Sequence, residues 1–155
     1  MSDGDWRFDI DICLNSHFKV VKSFENTLLE GGKIIMVASM YGHVSPVPRL
    51  YENVPQENPP SYGVAKAGII QFTKYLCNWL QDRKINVNCI SPGPFPFPEV
   101  ISEHPEFCQR LREMNPCNTV GVPSDLKGTF ALLGTDAARF INGQNFCVDG
   151  GWSTW

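Results

Sequence analysis

The sequence of 155 residues has few of the features that mark membrane, secreted or metal-binding proteins. It contains no run of about 18 apolar residues, so no transmembrane helix is predicted. Its acidic first residues are unlike a secretory signal. The six cysteines are scattered, with no Cys-x-x-Cys pair and no clustering with the three histidines, so no metal site is predicted. We expect a cytoplasmic globular protein with reduced thiols.

Charge gives no reason to expect a nucleic-acid partner. The net charge is −3, and acidic and basic residues are interleaved along the chain. A basic stripe that could follow a phosphate backbone is therefore not predicted.

Helical and strand patterns alternate along the chain. Apolar residues recur at a helical period from Trp6 to Glu30, and Gly31-Gly32 is expected to end this first helix. A second long helix is expected to begin at about Ser61. Short apolar runs predict strands at about residues 33–38, 85–91 and 145–149. This order predicts one α/β domain over residues 1–155, with a parallel sheet and right-handed connections.

A proline-rich stretch, residues 40–60, separates the first strand from the second long helix. A structureless loop of this length is uncommon in a compact domain and is often a lid or a binding loop. A tolerated surface insertion is an equally good interpretation, and the sequence does not decide between the two.

Three polar residues fall at positions suited to chemistry. Tyr62 and Lys66 are four residues apart on the second helix, so their side chains share one face. A free tyrosine has a pKa of about 10, and a neighbouring ammonium group favours its phenolate form. Such a pair can therefore transfer protons, although the spacing alone is common by chance. Ser39 ends the first strand, where parallel sheets place ligand-binding residues.

Four motifs, in the same order along the chain, resemble the short-chain dehydrogenase/reductase family. They are Ser39, Tyr62-Gly63-Val64-Ala65-Lys66, Asn88-Cys89-Ile90-Ser91-Pro92-Gly93-Pro94, and Ile141-Asn142-Gly143-Gln144 leading to Val148-Asp149-Gly150-Gly151. The resemblance runs from about Trp6 to the end of the chain. The long proline-rich loop and the last seven residues also resemble the gluconate 5-dehydrogenase-like subgroup.

The resemblance implies a Rossmann-like parallel sheet with helices on both faces and a role for NAD or NADP. It implies that Tyr62 is the general acid/base and that Ser39 holds the reacting oxygen. Lys66 would lower the tyrosine pKa and bind the nicotinamide ribose. Pro92, Gly93 and Phe95 would line the nicotinamide together with Tyr62 and Lys66.

Two departures from the family pattern stand out within the matched region. Cys13 occupies a position where members usually carry an asparagine that supports a proton relay to the lysine, and a thiol cannot replace the amide hydrogen bonds. The separation of Ser39 from Tyr62 is also roughly ten residues longer than usual, which is tolerable because the cost of loop closure rises slowly with length.

The family's glycine-rich turn, which binds the dinucleotide pyrophosphate, is missing before Ser39. The resemblance therefore leads us to expect the carboxyl-terminal part of a longer enzyme, with the amino-terminal half of the usual fold absent. We expect such a truncated chain to bind the cofactor poorly on its own.

Two functions remain open. One is an NAD(P)-dependent oxidoreductase that interconverts a secondary alcohol and a ketone, with a sugar or nucleotide-sugar as a plausible substrate. The alternative is a non-catalytic family member that acts in oligomerisation or interaction. In the family, helices corresponding to residues 6–30 and 62–83 pack across a subunit interface, so the resemblance implies a homo-oligomer in either case.

Overall fold

Three parallel strands form one sheet in the computed structural model, which describes residues 1–54 and 57–154. The strands are β1 (Lys33–Val37), β2 (Asn86–Pro92) and β3 (Asn145–Val148), in the order β1-β2-β3. In the register, Lys33 faces Asn86 and Cys89 faces Asn145. The predicted parallel sheet is confirmed, with strand boundaries within one residue of those expected.

The first helix is longer at its start and shorter at its end than the sequence predicts. It consists of α1 (Asp3–Ile10), a π-helical segment (Asp11–Asn15) and α2 (Ser16–Phe24). It ends at Phe24 instead of near Glu30. Just beyond this end, the Arg83 guanidinium donates hydrogen bonds to the carbonyl oxygens of Glu25 and Leu28. Those oxygens are therefore used by a side chain distant in sequence.

Arg83→Ala is expected to lower the free energy of unfolding by about 1.5–3 kcal/mol, because a charged donor to two backbone carbonyls is lost. Urea denaturation measures this. Arg112→Ala is the matched control, since the only side-chain hydrogen bond of Arg112 within residues 1–54 and 57–154 is a long one, 3.4 Å, to Gln109. Equal stability of the Arg83 variant and the wild type would show that this cap contributes nothing.

Helices lie on both faces of the sheet, as predicted. The α-helices that follow β1 are α3 (Pro60–Trp79), α4 (Pro98–Glu103), α5 (Pro105–Glu113) and α6 (Lys127–Leu133). On one face Met36, Val87 and Cys89 pack against α3, whose buried contacts include Ile69 and Leu76. On the other face Ile90 packs against Leu133 of α6. α4 and α5 are separated at His104-Pro105, because proline restricts the residue before it.

Neither a membrane-spanning helix nor a metal-binding group is found in the part of the chain that the structure describes. None of its helices is long and apolar enough to cross a membrane. No group of three or more potential metal-ligating side chains occurs among residues 1–54 and 57–154.

Candidate active site

Ser39 lies directly after β1, at the carboxyl edge of the sheet. Its backbone is extended, and its Oγ accepts a hydrogen bond of 3.2 Å from the Tyr41 amide, which caps the short helical turn Met40–Gly42. The side chain is buried. The strand end and this cap together fix the hydroxyl, so it does not need to be ordered when a substrate binds.

Tyr62 lies in the first turn of α3, which begins at Pro60. The start of the helix is held by Ser61, whose buried hydroxyl donates to the Asp9 carboxylate of α1. Burial raises the pKa of Tyr62 above its ordinary value, and the nearby Ser39 hydroxyl acts in the opposite direction. The fold therefore brings these two predicted hydroxyls together across residues 40–60.

Lys66 follows one turn later on α3. Its Nζ lies 5.5 Å from the centroid of the Tyr62 ring and donates a 3.1 Å hydrogen bond to the Val37 carbonyl. Burial lowers the pKa of Lys66, whereas nearby Cys13 raises it.

The lowering of the tyrosine pKa by Lys66 stays a prediction. The net direction for the Tyr62 pKa is upward, since burial is the largest influence on it. The ammonium group lies over the ring face and is hydrogen-bonded to a backbone carbonyl. The geometry thus gives Lys66 a cation–π contact with the phenol ring.

The residues after β2 approach the same place. Gly93 donates from its amide to the Val148 carbonyl, 2.9 Å away, so the ends of β2 and β3 are tied together. A cavity of about 250 Å³ lies in front of this turn, and Ser39, Tyr62, Gly93 and Phe95 all line it. Pro92 is set back from the cavity, within the strand pairing opposite Val148.

Cys13 lies on the π-helical segment, next to the predicted proton-transfer pair. It is partly buried and close enough to raise the pKa of both Tyr62 and Lys66. The thiol therefore occupies the position expected from the family pattern. Whether it can support a proton relay stays a prediction.

The proline-rich loop supplies three cavity-lining residues that sequence reasoning missed. The Tyr41 hydroxyl lies 2.9 Å from the Tyr51 hydroxyl, which also accepts a 3.0 Å hydrogen bond from the Asn58 amide. All three residues line the cavity. Burial and the neighbouring Tyr51 raise the pKa of Tyr41, which therefore stays a neutral phenol.

The described part of this loop is anchored and is not a loose surface insertion. Leu50 is fully buried in a cluster with Leu111 and Trp152. Arg110 of α5 donates from Nε to the Leu50 carbonyl at 3.0 Å and from Nη2 to the Glu52 carbonyl at 2.7 Å. Of the two interpretations, the binding loop therefore fits better, although Pro55 and Gln56 lie outside the described residues.

Comparison with known proteins places this geometry in a family. A family model described as "Enoyl-(Acyl carrier protein) reductase" matches residues 1–153. The chain is 34% identical over 152 residues to a 3-oxoacyl-(acyl-carrier-protein) reductase of Synechocystis sp., covering 95% of this chain and 56% of that protein. It is 28% identical over 156 residues to the 2-dehydro-3-deoxy-D-gluconate 5-dehydrogenase of Escherichia coli, covering 97% of this chain and 58% of that protein.

A solved structure agrees with the sequence comparison. The chain aligns with a short chain dehydrogenase from Leptospira borgpetersenii with bound NAD+, with a TM-score of 0.87 and 30% identity, covering 99% of this chain and 58% of that one. The chain therefore belongs to the short-chain dehydrogenase/reductase family, and the Rossmann-like fold class is confirmed. It spans little more than half the length of these relatives. The roles of Ser39, Tyr62 and Lys66 stay predictions.

Proposed function

We propose that this chain provides the proton-transfer and substrate-binding part of an NAD(P)-dependent oxidoreductase that interconverts a secondary alcohol and a ketone. The observation that carries the proposal is the cavity of about 250 Å³ in which Ser39 and Tyr62 meet the Gly93 turn. A hydroxyl pair beside a half-enclosed cavity can bind one oxygen atom of a substrate and exchange a proton with it.

The residues present fit a nicotinamide cofactor. Among residues 1–54 and 57–154, the only hydrogen bond of the Lys66 ammonium goes to Val37, so this three-donor group keeps donors for ribose hydroxyls. Gly93 and Phe95 present a backbone turn and an aromatic ring at the cavity wall. Tyr62, Lys66, Gly93 and Phe95 are thus the residues proposed to hold the nicotinamide end of NAD or NADP, with Pro92 behind them at the end of β2. When bound, that group supplies hydride transfer.

The chain's own residues then orient the substrate and move one proton. Ser39, held by the Tyr41 amide, donates a hydrogen bond to the reacting oxygen. The Tyr62 phenol donates its proton to that oxygen during ketone reduction. During alcohol oxidation the Tyr62 phenolate accepts the proton of the alcohol.

The pH dependence should differ between the two directions. Because burial raises the pKa of Tyr62, its neutral form predominates at neutral pH, which suits reduction. Oxidation needs the phenolate, so its kcat should rise continuously with pH from about 6 to 9, whereas kcat for reduction should stay flat. Initial rates in both directions measure this. A flat oxidation profile would show that the phenol pKa is low in the working enzyme.

The test of the proposed function is turnover with a panel of secondary alcohols and ketones. The 155-residue chain and the complete product of its gene are assayed in parallel with NAD and with NADP, following the absorbance of the reduced nicotinamide. We expect a secondary alcohol to be oxidised to the ketone by at least one of the two preparations. Lack of any turnover by both would overturn the proposal.

A sugar or nucleotide-sugar substrate is the finer part of the proposal. Its support is the similarity to a sugar-acid dehydrogenase by name and the number of hydroxyl and amide groups around the cavity.

A specific surface favours self-association as a second candidate function. Apolar side chains are exposed on two adjacent helices, including Phe18 and Phe24 on α2 and Tyr75 and Trp79 on α3, the last two at 67% and 58%. Burial of this face in a homo-oligomer would remove it from water. Light scattering after size exclusion tests this, and a strict monomer would count against it.

A further inference from the structure

We propose that the substrate is a small, uncharged polyol or its keto form, and that Tyr51 and Asn58 of the proline-rich loop recognise its hydroxyl groups. This rests on the proposed function, because it concerns the same cavity. It goes further in naming the charge of the substrate and the residues that select it.

Asn58, Tyr51 and Tyr41 form a polar row along the cavity that Ser39 and Tyr62 also line. Asn58 donates to the Tyr51 hydroxyl at 3.0 Å, and Tyr51 lies 2.9 Å from the Tyr41 hydroxyl. Tyr51 is also close enough to Tyr62 to raise its pKa. A substrate whose oxygen meets Tyr62 therefore has its neighbouring carbon atoms beside this row.

Asn58 has unused hydrogen-bonding capacity in the described structure. Within the described part of the chain, its side chain makes one hydrogen bond, through Nδ2 to Tyr51. A second N–H and the amide oxygen are left over. A donor and an acceptor on one planar group suit a vicinal diol, in which each hydroxyl can donate or accept. A simple aliphatic alcohol would leave these groups unused.

The described lining of the cavity carries no charged side chain. None of the cavity-lining residues that the structure describes is Asp, Glu, Lys, Arg or His. The nearby guanidinium of Arg110 is occupied by the Leu50 and Glu52 carbonyls. A carboxylate or phosphate entering this cavity would lose hydration with no counter-charge to replace it. Among the sugar substrates proposed above, the cavity therefore favours neutral sugars and polyols over sugar acids and nucleotide-sugars.

The cavity is small and has an apolar wall. Its volume of about 250 Å³ lies below the range of about 300–1,000 Å³ of drug-sized ligand pockets, which favours a small substrate. Phe107 packs against Tyr51, with ring centroids 5.7 Å apart, and Phe95 and Phe97 line the opposite wall. Aromatic faces of this kind pack against the C–H groups of a carbohydrate chain while the polar row takes its hydroxyls.

The probes are D-mannitol, D-gluconate and cyclohexanol, which are a neutral polyol, a sugar acid and a simple secondary alcohol. Binding of each to the chain is measured by saturation-transfer NMR, independently of turnover. The ratio of kcat/KM values is measured wherever turnover occurs. We expect mannitol to bind at least about tenfold more tightly than gluconate, because the acid loses hydration without compensation.

Two loop variants test the recognising residues. Tyr51→Phe and Asn58→Ala should each lower the binding affinity for mannitol by about three- to tenfold, as expected for a lost hydrogen bond, and change the binding affinity for cyclohexanol by less than about twofold. Tyr75→Phe and Asn78→Ala are matched controls on the exposed surface of α3 and should change neither. A merely structural role of the loop would reduce both probes equally.

A charge-introducing variant completes the design. Phe97 lines the cavity and is exposed, so Phe97→Arg places a guanidinium at its rim without opening the core. The ratio of gluconate affinity to mannitol affinity should rise several-fold, and an unchanged ratio would contradict the assigned charge preference.

The outcomes separate the two proposals. Gluconate bound as tightly as mannitol by the wild type, undetectable mannitol binding, or equal losses of mannitol and cyclohexanol in the loop variants would each overturn the polyol assignment. If no alcohol is turned over, the proposed function fails, while the NMR comparison still decides the charge preference of the cavity.

Discussion

Tyr62→Phe is expected to lower kcat for oxidation of a secondary alcohol by about 10²- to 10⁴-fold, the usual contribution of a positioned acid/base group. The change removes one oxygen atom and keeps the ring, which is partly buried next to the Tyr41 and Leu50 cluster. The fold should therefore be retained, with a thermal midpoint close to that of the wild type. Steady-state rates in both directions measure the effect.

Tyr75→Phe is the matched control, because it makes the same chemical change at an exposed position of α3, outside the cavity. A second comparison separates binding from chemistry. The affinity for the alcohol should change little in Tyr62→Phe, since Ser39 still donates to the reacting oxygen. Undiminished turnover in Tyr62→Phe would remove this residue from the mechanism.

The sheet could be predicted because its signals are local. Each strand is a short apolar run, and in β2 the residues from Val87 to Ser91 are all buried, as expected for a parallel strand covered on both faces. The end of the first helix could not be predicted in the same way. Apolar periodicity continues to Leu28, but Arg83, which is 58 residues from Glu25, takes the carbonyls at that point. A local pattern carries no information about a partner so far along the chain.

The same distinction holds for the candidate site. Ser39, Tyr62 and Lys66 could be predicted because a strand end and a helical spacing place them. Tyr51 and Asn58 could not, since their positions depend on the path of the loop, which Leu50 and Arg110 fix through tertiary contacts. The direction of the Tyr62 pKa also depends on burial, which the spacing to Lys66 does not report.

Gly93→Ala should be the most destabilising small substitution at the site, with a loss of at least about 2 kcal/mol in the free energy of unfolding. A Cβ atom at this position would lie 2.5 Å from the Asp149 Cα and 2.7 Å from its Cβ. Two backbone segments would have to separate. The hydrogen bond from Gly93 to Val148, which joins the ends of β2 and β3, lies at the same point.

Displacement of Asp149 adds to this cost. Its buried carboxylate accepts hydrogen bonds from the Gly151 amide at 2.9 Å and from the Ser153 amide and hydroxyl at 3.1 and 2.6 Å. These bonds hold the turn that carries Trp152 into the cluster beneath the proline-rich loop. A methyl group on Gly93 therefore disturbs the wall of the cavity from two sides, and alcohol turnover should fall together with stability.

Gly128→Ala is the control, for which the expected change in the free energy of unfolding has the opposite sign. Gly128 lies inside α6, and a methyl group added there would have no atom within 4 Å. The substitution should therefore raise the free energy of unfolding by about 0.5–1 kcal/mol through helix propensity. Urea denaturation of both variants measures the difference. If Gly93→Ala is as stable as the wild type, β2 and β3 can part at their carboxyl ends without cost. The close approach of Gly93 to Asp149 would then reflect a turn free to move and not a fixed wall against which a cofactor can be held.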